Sequence, residues 1–214
     1  MRHAYWGQAY SNGKVEGFLK QEGIAYEDVP DEGGLLDRIV EALTEGKVIG
    51  WYQGRFEWGP RALGNRSILA DPRRAEMKDV VNTKIKFREP YRPFAPSVLA
   101  ERTEEFFELP NAAQQDAARF MLLVTPVRPE KREVIPAITH VDGTGRLQTV
   151  FRETNPLYYE LIRRFGEATD VPVVLNTSFN LRGEPIVTTP ENAYSTFRRS
   201  EMDLLVMGNC LVTK

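Results

Sequence analysis

Cysteine and histidine are scarce in this chain of 214 residues, which contains one cysteine, Cys210, and two histidines, His3 and His140. A disulfide framework needs paired cysteines, so none can form within the chain. These residues are also too few for a His/Cys zinc site or a His-Glu-x-x-His protease helix. We favour a buried structural Cys210 over a thiol dyad with His140, because a lone cysteine in an apolar stretch is typical of a core position.

Apolar stretches are short, and the longest examples are residues 171–175 and 204–207. Crossing a bilayer takes roughly 20 apolar residues. The opening residues, MRHAYWGQAYSNG, contain no apolar core of a signal peptide. Together with the single thiol, these features lead us to expect a soluble cytoplasmic protein that does not enter a membrane.

Two familiar nucleotide-binding patterns are missing. No G-x-x-x-x-G-K-[ST] phosphate loop occurs, and the Gly143-Thr144-Gly145 pair lacks the third glycine of a dinucleotide fingerprint. A nucleotide must therefore be bound by a different arrangement of residues.

Helical and strand patterns alternate along the chain. Residues 35–43 have helical apolar spacing that Gly46 ends, and residues 48–53 have the composition of a buried strand. Three pairs each predict a helix start: Asp71-Pro72, Asn155-Pro156 and Thr189-Pro190. We expect further strands at 24–29, 94–99, 120–125, 147–152, 173–175 and 204–206. This order predicts one domain over residues 1–214, of the mixed α/β (α+β) class, with a sheet covered on both faces.

The net charge of −2 conceals an uneven distribution. Residues 55–92 contain ten Lys and Arg against five acids, so this window is +5 and the remainder of the chain is −7. The overall charge argues against a general nucleic-acid or membrane binder, whereas the concentrated block suggests a site for a polyanion.

Two segments of this block contain most of its cations. Residues 53–67 place Arg55, Arg61 and Arg66 among three glycines directly after a strand, which is typical of an anion-binding loop. In residues 84–97, we expect Lys84, Lys86 and Arg88 to alternate along one side of an extended stretch that Pro90, Pro93 and Pro96 keep non-helical, with Arg92 close by. Helix capping or pairing with Glu57, Asp71 and Glu89 is the alternative for any single cation.

Two further segments carry polar turns. Residues 173–185 run from a strand into a turn with the hydroxyl and amide groups of Asn176, Thr177, Ser178 and Asn180, which suit a phosphate, ribose or carbonyl group. Turn chemistry alone also selects such residues. In residues 140–146, Arg146 follows a tight turn, and we expect Asp142 to set that turn rather than to bind a metal ion.

These segments together closely resemble the C-terminal domain of the O-carbamoyltransferases of antibiotic and nodulation-factor biosynthesis. The resemblance covers nearly the whole chain, and its most specific blocks are GPRALGNRSILADPR (59–73), KIKFREPYRPFAPSVL (84–99), THVDGTGRLQTV (139–150) and LNTSFNLRGEPIV (175–187). The K-x-R and S-x-N elements of YrdC-like domains correspond to Lys86-Phe87-Arg88 and Ser178-Phe179-Asn180. The resemblance implies a YrdC-like three-layer domain with a twisted, mostly buried mixed β-sheet flanked by helices.

In that family the YrdC-like domain is understood to convert carbamoyl phosphate and ATP into carbamoyl-adenylate, with Mg²⁺ accompanying the nucleotide. The resemblance implies that catalysis rests on Arg61, Lys86, Arg88 and Ser178. It implies that the nucleotide and phosphate are bound by Arg55, Arg66, Arg92, Arg146, Asn176, Thr177 and Asn180. No residue is expected to bind a metal directly.

A separate N-terminal domain of the actin/hsp70-like superfold, which carries a metal, transfers the carbamoyl group to a hydroxyl in that family. The resemblance does not include that half, so we expect residues 1–30 to be the junction to such a domain, in cis or in trans. We accordingly expect Met1 to be a truncation point or the start of a split-gene subunit. We expect the chain alone to form the adenylate without completing the transfer.

Three alternatives remain open. One keeps the fold and makes threonylcarbamoyl-adenylate from threonine, bicarbonate and ATP, although the GPRALGNRS and LNTSFNLRGEP blocks favour the carbamoyltransferase branch. A second is an RNA-binding module, which the acidic remainder of the chain disfavours and which requires a steep salt dependence of affinity. A third is a non-catalytic domain that docks on a transferase subunit.

The cation block generates a binding prediction. ATP or a non-hydrolysable analogue should bind the isolated chain, with an affinity that falls as salt rises, because Arg and Lys contacts to phosphate in a partly open cavity are screened. Isothermal calorimetry over a salt series measures this. An absence of binding at low salt contradicts the nucleotide site.

Overall fold

The computed structural model describes residues 1–214, and its centre is an eight-stranded mixed β-sheet. The ten strands of the chain are β1 (Glu27–Asp28), β2 (Ile49–Tyr52), β3 (Arg66–Ala70), β4 (Ala95–Leu99), β5 (Thr125–Pro126), β6 (Thr144–Gly145), β7 (Gln148–Val150), β8 (Val173–Ser178), β9 (Leu204–Met207) and β10 (Cys210–Thr213). The large sheet has the order β1-β10-β9-β2-β3-β8-β4-β7, and β5 pairs separately with β6. β2 runs parallel to β9 and β4 runs parallel to β7, whereas every other pair is antiparallel.

Helices cover both faces of this sheet. They are α1 (Asn12–Gln21), α2 (Glu32–Thr44), α3 (Met77–Asp79), which continues as a π-helix over Val80–Ile85, α4 (Pro156–Thr169) and α5 (Pro190–Arg198). The apolar sides of α2 and α4 pack on one face, and those of α1, α5 and the π-helix pack on the other. Five short 3-10 helices lie between residues 100 and 138. None of the helices is both long and apolar enough to span a bilayer. The three-layer arrangement and the mixed α/β class are therefore confirmed.

Several local predictions are confirmed by the way the helices begin. The apolar spacing of 35–43 lies within α2, and Gly46 follows it with φ +87°. The Asn155 side chain accepts a hydrogen bond from the Tyr158 N–H at the start of α4. Thr189 forms a capping box with Asn192 at the start of α5. In both helices the proline occupies the first turn, where its missing N–H costs nothing.

The prediction of a helix start at Asp71-Pro72 is wrong. The Asp71 carboxylate accepts hydrogen bonds from the backbone N–H of Arg73 at 2.9 Å and from its guanidinium at 2.6 Å. The carboxylate that would cap a helix is therefore engaged in a local turn, and helical structure begins only at Met77.

Two strand predictions are also wrong over most of their length. Residues 24–29 contribute only the two residues of β1. In residues 120–125, a 3-10 helix (Asp116–Phe120) ends at Met121, whose φ of +55° turns the chain, so only Thr125 joins a strand. Four elements, α1, β3, β6 and β10, lie outside the predicted ones.

The topology brings four distant segments to one end of the sheet. Because β8 is antiparallel to β3 and β4, its C-terminal end lies beside the N-terminal ends of those two strands. β7 is parallel to β4, so it begins at the same end. The loop before β3, the segment before β4, the turn before β7 and the end of β8 therefore converge.

Gly64, in the loop before β3, is tightly constrained. Its φ is +103°, and a Cβ atom there would lie 2.2 Å from Cδ1 of Tyr158 in α4. A Gly64→Ala substitution should therefore cost between about 2 and 5 kcal/mol of unfolding free energy, from backbone strain plus overpacking. Urea denaturation measures this cost.

Gly23→Ala is the matched control, because Gly23 also has a positive φ, +64°, but a Cβ atom there would meet no other atom within 4 Å. It should lose only about 1 to 2 kcal/mol. Equal losses in the two variants would show that the Tyr158 contact does not constrain the loop.

Candidate functional site

A small cleft, about 100 Å³ in volume, lies where the four segments converge. Three arginines line it, Arg61 from the loop before β3, Arg88 from the segment before β4 and Arg146 from the turn before β7. The end of β8 supplies Asn176, Thr177 and Ser178. No Asp or Glu is among the twelve lining residues. The cleft therefore concentrates positive charge without a neutralising carboxylate.

Arg61 and Arg146 have no internal partner. Neither side chain forms an ion pair or a hydrogen bond, and the Nε atom of each is buried without an acceptor. Burial lowers the pKa of Arg146, and the positive charge of Arg61 lowers it further. An arginine keeps its proton in proteins nevertheless, so two unsatisfied cationic forks face the same cleft. Such forks match phosphate or carboxylate oxygens.

Arg88 is positioned by Asn82, a fully buried residue of the π-helix. The Asn82 Oδ1 accepts from Nε of Arg88 at 2.7 Å, and its Nδ2 donates to the carbonyls of Pro90 and Arg92 at 3.1 and 2.9 Å. The Arg88 guanidinium also lies 4.9 Å from the centre of the Phe94 ring. A neutral amide therefore aims the arginine and leaves its charge intact. Sequence reasoning missed Asn82, since nothing in its immediate neighbours marks it as buried.

The alternation predicted for Lys84, Lys86 and Arg88 is wrong. Lys84 lies in the π-helix and is exposed, because the backbone is still helical up to Ile85. Phe87 then adopts φ +48°, an unfavourable conformation for a non-glycine residue, and this reverses the chain between Lys86 and Arg88. Of the three cations, only Lys86 and Arg88 therefore reach the cleft region.

Lys86 is buried and surrounded by oxygen atoms. Its Nζ lies 2.5 Å from the carbonyl of Ser178, 3.2 Å from its hydroxyl, 2.9 Å from the carbonyl of Asn180 and 2.6 Å from its Oδ1. Burial lowers the pKa of Lys86 to about 7, with a smaller lowering from Arg88 that Glu184 opposes. The lysine thus joins the segment before β4 to the turn after β8, and it positions Ser178 and Asn180.

Glu57 organises the loop that carries Arg61. Its buried Oε1 accepts from the backbone N–H groups of Leu63 and Asn65, each at 2.7 Å. Burial raises the pKa of this carboxyl to about 7, although those hydrogen bonds and Arg66 oppose the rise. The sequence suggested Glu57 only as an ion-pair partner, whereas the carboxylate binds the backbone of the loop.

Four predicted binding residues lie outside the cleft lining, namely three arginines and Asn180, whose Oδ1 accepts from Lys86 at 2.6 Å. The Arg66 side chain is fully buried, donates to the carbonyls of Gln53 and Asn65 at 2.5 and 2.9 Å, and stacks on Tyr52. Arg55 is exposed and donates to the Gly7 carbonyl at 3.1 Å. Arg92 forms an ion pair with Glu89 at 2.9 Å.

The turn before β7 has the geometry expected for it. Asp142 Oδ1 accepts from the backbone N–H of Thr144 at 3.0 Å and from its hydroxyl at 2.7 Å. This carboxylate therefore sets the turn that precedes Arg146. No group of three or more His, Cys, Asp or Glu residues in the structure is arranged to hold a metal ion.

A larger cavity lies elsewhere, between α2 and β10, and measures about 900 Å³. Its lining includes five acids, Glu27, Glu41, Glu45, Glu201 and Asp203, against three cations, Arg38, Lys47 and Lys214. An excess of acids disfavours a polyanion, so size alone does not identify the site.

The chain is similar to known proteins over most of its length. The family model described as Carbamoyltransferase C-terminus matches residues 40–214. Nodulation protein NolNO of Sinorhizobium fredii is 48% identical over 217 residues, which cover 100% of this chain and 31% of that protein. The 3'-hydroxymethylcephem-O-carbamoyltransferase of Streptomyces clavuligerus is 34% identical over 211 residues, which cover 97% of this chain and 37% of that protein. The chain spans about a third of the length of these relatives.

Two solved structures share the fold. Sua5 of P. abyssi, complexed with L-threonine, has a TM-score of 0.58 and 18% identity, and the match covers 84% of this chain and 48% of that one. Full-length HypF, in its phosphate- and nucleotide-bound form, has a TM-score of 0.57 and 19% identity, and the match covers 83% and 25%. At such identities the likeness is one of architecture, and it confirms the YrdC-like fold.

The buried lysine predicts a pH dependence of stability. Because burial lowers the pKa of Lys86 from 10.5 to about 7, the unfolded chain binds more protons than the folded chain between these values. Lys86 therefore destabilises the fold fully below pH 7, and this cost is progressively lost as pH rises towards 10.5. Relative to Lys86→Met, the wild type should gain roughly 2 to 3 kcal/mol of unfolding free energy from pH 6 to pH 9.

Urea denaturation at pH 6, 7, 8 and 9 measures this change. Lys84→Met is the matched control, because Lys84 is exposed and lies two residues earlier. A difference between wild type and Lys86→Met that does not vary with pH would contradict the lowered pKa.

Proposed function

The chain belongs to the carbamoyltransferase C-terminus family, and from that membership we propose that it forms carbamoyl-adenylate from carbamoyl phosphate and ATP. One observation carries the proposal, namely the cleft in which Arg61, Arg88 and Arg146 meet without a carboxylate. ATP and carbamoyl phosphate together bring about six negative charges, which repel each other unless cations compensate them. The unneutralised arginines supply that compensation.

The proposed reaction takes place in two steps. Water cleaves carbamoyl phosphate to carbamate and inorganic phosphate. A carbamate oxygen then attacks the α-phosphorus of ATP, the bond from this phosphorus to the bridging oxygen breaks, and pyrophosphate departs with the electron pair. No nucleophile from the protein is required, so catalysis is positioning and stabilisation of charge.

The residues in and around the cleft have different roles in this reaction. Arg61, Arg88 and Arg146 contact phosphate oxygens, because none of them pairs with a carboxylate and only Nε of Arg88 has an internal acceptor. Lys86 holds the turn of Ser178 and Asn180 against the cleft, and Ser178 and Thr177 offer hydroxyls to the substrate. Arg66, Arg55 and Arg92 support surrounding loops.

Magnesium would accompany the nucleotide rather than bind to the chain first. The cleft lining contains no carboxylate, the ligand that Mg²⁺ prefers in proteins, and no metal-binding cluster exists elsewhere. The residues present therefore do not form a site for this ion, and the triphosphate itself would carry it.

In this proposal, a further domain transfers the carbamoyl group to the acceptor. The chain spans about a third of its relatives, one of which is named for O-carbamoylation of a hydroxymethylcephem. We therefore assign to this chain the activation half of an O-carbamoylation, and to a separate N-terminal transferase domain the transfer to a hydroxyl.

Removal of one cleft arginine tests the proposal. Arg61→Ala should lower carbamoyl-phosphate-dependent pyrophosphate release by at least about 100-fold, because one stabilising cation is lost. The fold should survive, since the substitution relieves repulsion within a cluster of like charges. A pyrophosphate assay with mass detection of carbamoyl-adenylate measures the activity, and denaturation measures stability.

Arg198→Ala is the matched control, because Arg198 is an exposed arginine of α5 outside the cleft. Threonine with bicarbonate replaces carbamoyl phosphate in a parallel reaction. Pyrophosphate release that depends on threonine, or equal activity in Arg61→Ala and wild type, would refute the proposed reaction.

A further inference from the structure

The arginine cleft contains one buried acceptor atom that has no partner inside the chain. Asn176 is 1% exposed and lines the cleft from within β8. Its Oδ1 atom is buried and forms no hydrogen bond. Leaving a buried acceptor unsatisfied destabilises the fold, so this atom in the middle of a sheet points to a ligand that donates to it.

The orientation of this amide is fixed by its neighbours. Asn176 Nδ2 lies 3.2 Å from the Ala62 carbonyl and 3.1 Å from Oε1 of Gln148, and both of these atoms can only accept. Rotating the amide by half a turn would place Oδ1 against both of them. The unpartnered atom is therefore the oxygen.

The orientation of Gln148 is fixed in turn. Its Nε2 donates to the Leu63 carbonyl at 2.8 Å, and its Oε1 accepts from the Ser97 hydroxyl at 2.7 Å. The Ser97 oxygen also lies 3.0 Å from Nδ2 of Asn176. This closed network uses every donor of the Asn176 amide and leaves its oxygen unused.

The rest of the cleft offers donors. The three arginines only donate, and the hydroxyls of Thr177 and Ser178 can donate or accept. Asn176 Oδ1 is the only side-chain oxygen in the lining that can accept but cannot donate. A complementary ligand therefore carries anionic oxygens for the arginines and, on the same small group, an N–H for Asn176.

We propose that Asn176 Oδ1 accepts a hydrogen bond from the amide nitrogen of the carbamoyl group and thereby selects carbamoyl phosphate over other acyl phosphates. This inference rests on the proposed function and names its specificity determinant. Acetyl phosphate has the same shape, with a methyl in place of the NH₂ group, so it would leave the acceptor unsatisfied. Sites built to bind a substrate N–H reject the analogue that lacks it, because their own polar atom stays unpaired.

The test compares these two acyl phosphates on the same chain. Pyrophosphate release from ATP gives kcat/KM for each, and calorimetry in the presence of a non-hydrolysable ATP analogue gives the affinity for each. The wild type should prefer carbamoyl phosphate at least about 10-fold in both measurements. Equal affinities in the wild type would overturn the proposal without any variant.

Asn176→Ala should reduce this preference to within about threefold, chiefly by loss with carbamoyl phosphate. Ser97→Ala is the matched control, because it disturbs the same buried network but leaves Oδ1 of Asn176 in place. It should lower stability and keep the preference. A preference that falls equally in both variants would show that Asn176 acts only through folding, and it would overturn the proposal.

The outcomes separate the two proposals. Pyrophosphate release with no preference between the acyl phosphates would contradict the role of Asn176 and would still support adenylate formation. A preference in binding without pyrophosphate release keeps the role of Asn176 and removes the proposed reaction. Binding of neither compound contradicts both.

Discussion

Three guanidinium groups share one cleft with no carboxylate to neutralise them, and the surrounding structure has to balance their repulsion. Two of these groups, Arg61 and Arg146, have no internal partner, and the other buried cations in and around the cleft are held by neutral oxygen atoms. Arg88 donates to the amide of Asn82, Lys86 donates to the carbonyls of Ser178 and Asn180, and Arg66 donates to backbone carbonyls. Neutral acceptors fix the positions of charged groups without cancelling their field, so the field remains available to an anionic ligand.

Carboxylates are present in this region, but they are engaged elsewhere. Glu57 binds backbone N–H groups of the loop that carries Arg61. Glu89 pairs with Arg92 at 2.9 Å and lies 3.8 Å from Arg182, and Glu184 pairs with Arg199 at 2.5 Å. An outer set of ion pairs thus holds the segments around the cleft, while the inner arginines stay unpaired. The sheet topology makes this separation possible, since it brings the four segments to one end.

The parts of the fold that depend on local chemistry could be predicted from the sequence. The caps at Asn155 and Thr189 and the apolar face of α2 are local patterns, and the structure follows them. Asp71-Pro72 has the same local signature, yet Arg73 takes its carboxylate and the helix starts later. The helical course of 80–85 was predictable, because Met77, Val80, Val81 and Ile85 have helical apolar spacing, and the structure follows it.

The candidate site could likewise be predicted from the sequence only in part. The sequence correctly indicated a cluster of cations, and the structure brings Arg61, Arg88 and Arg146 together. It could not distinguish Arg61 from Arg66, five residues apart in the same segment, since only the pairing of β3 with β2 directs Arg66 onto Tyr52. Nor could it identify Asn82, or the unused oxygen of Asn176, because both roles arise from contacts between distant segments.

The role of the unpaired arginines is tested most directly by a crystal structure of the chain with a non-hydrolysable ATP analogue. We expect phosphate oxygens within hydrogen-bond distance of Arg61, Arg88 and Arg146, because these guanidinium groups have no carboxylate of their own. A nucleotide bound instead in the acidic cavity between α2 and β10 would contradict this assignment.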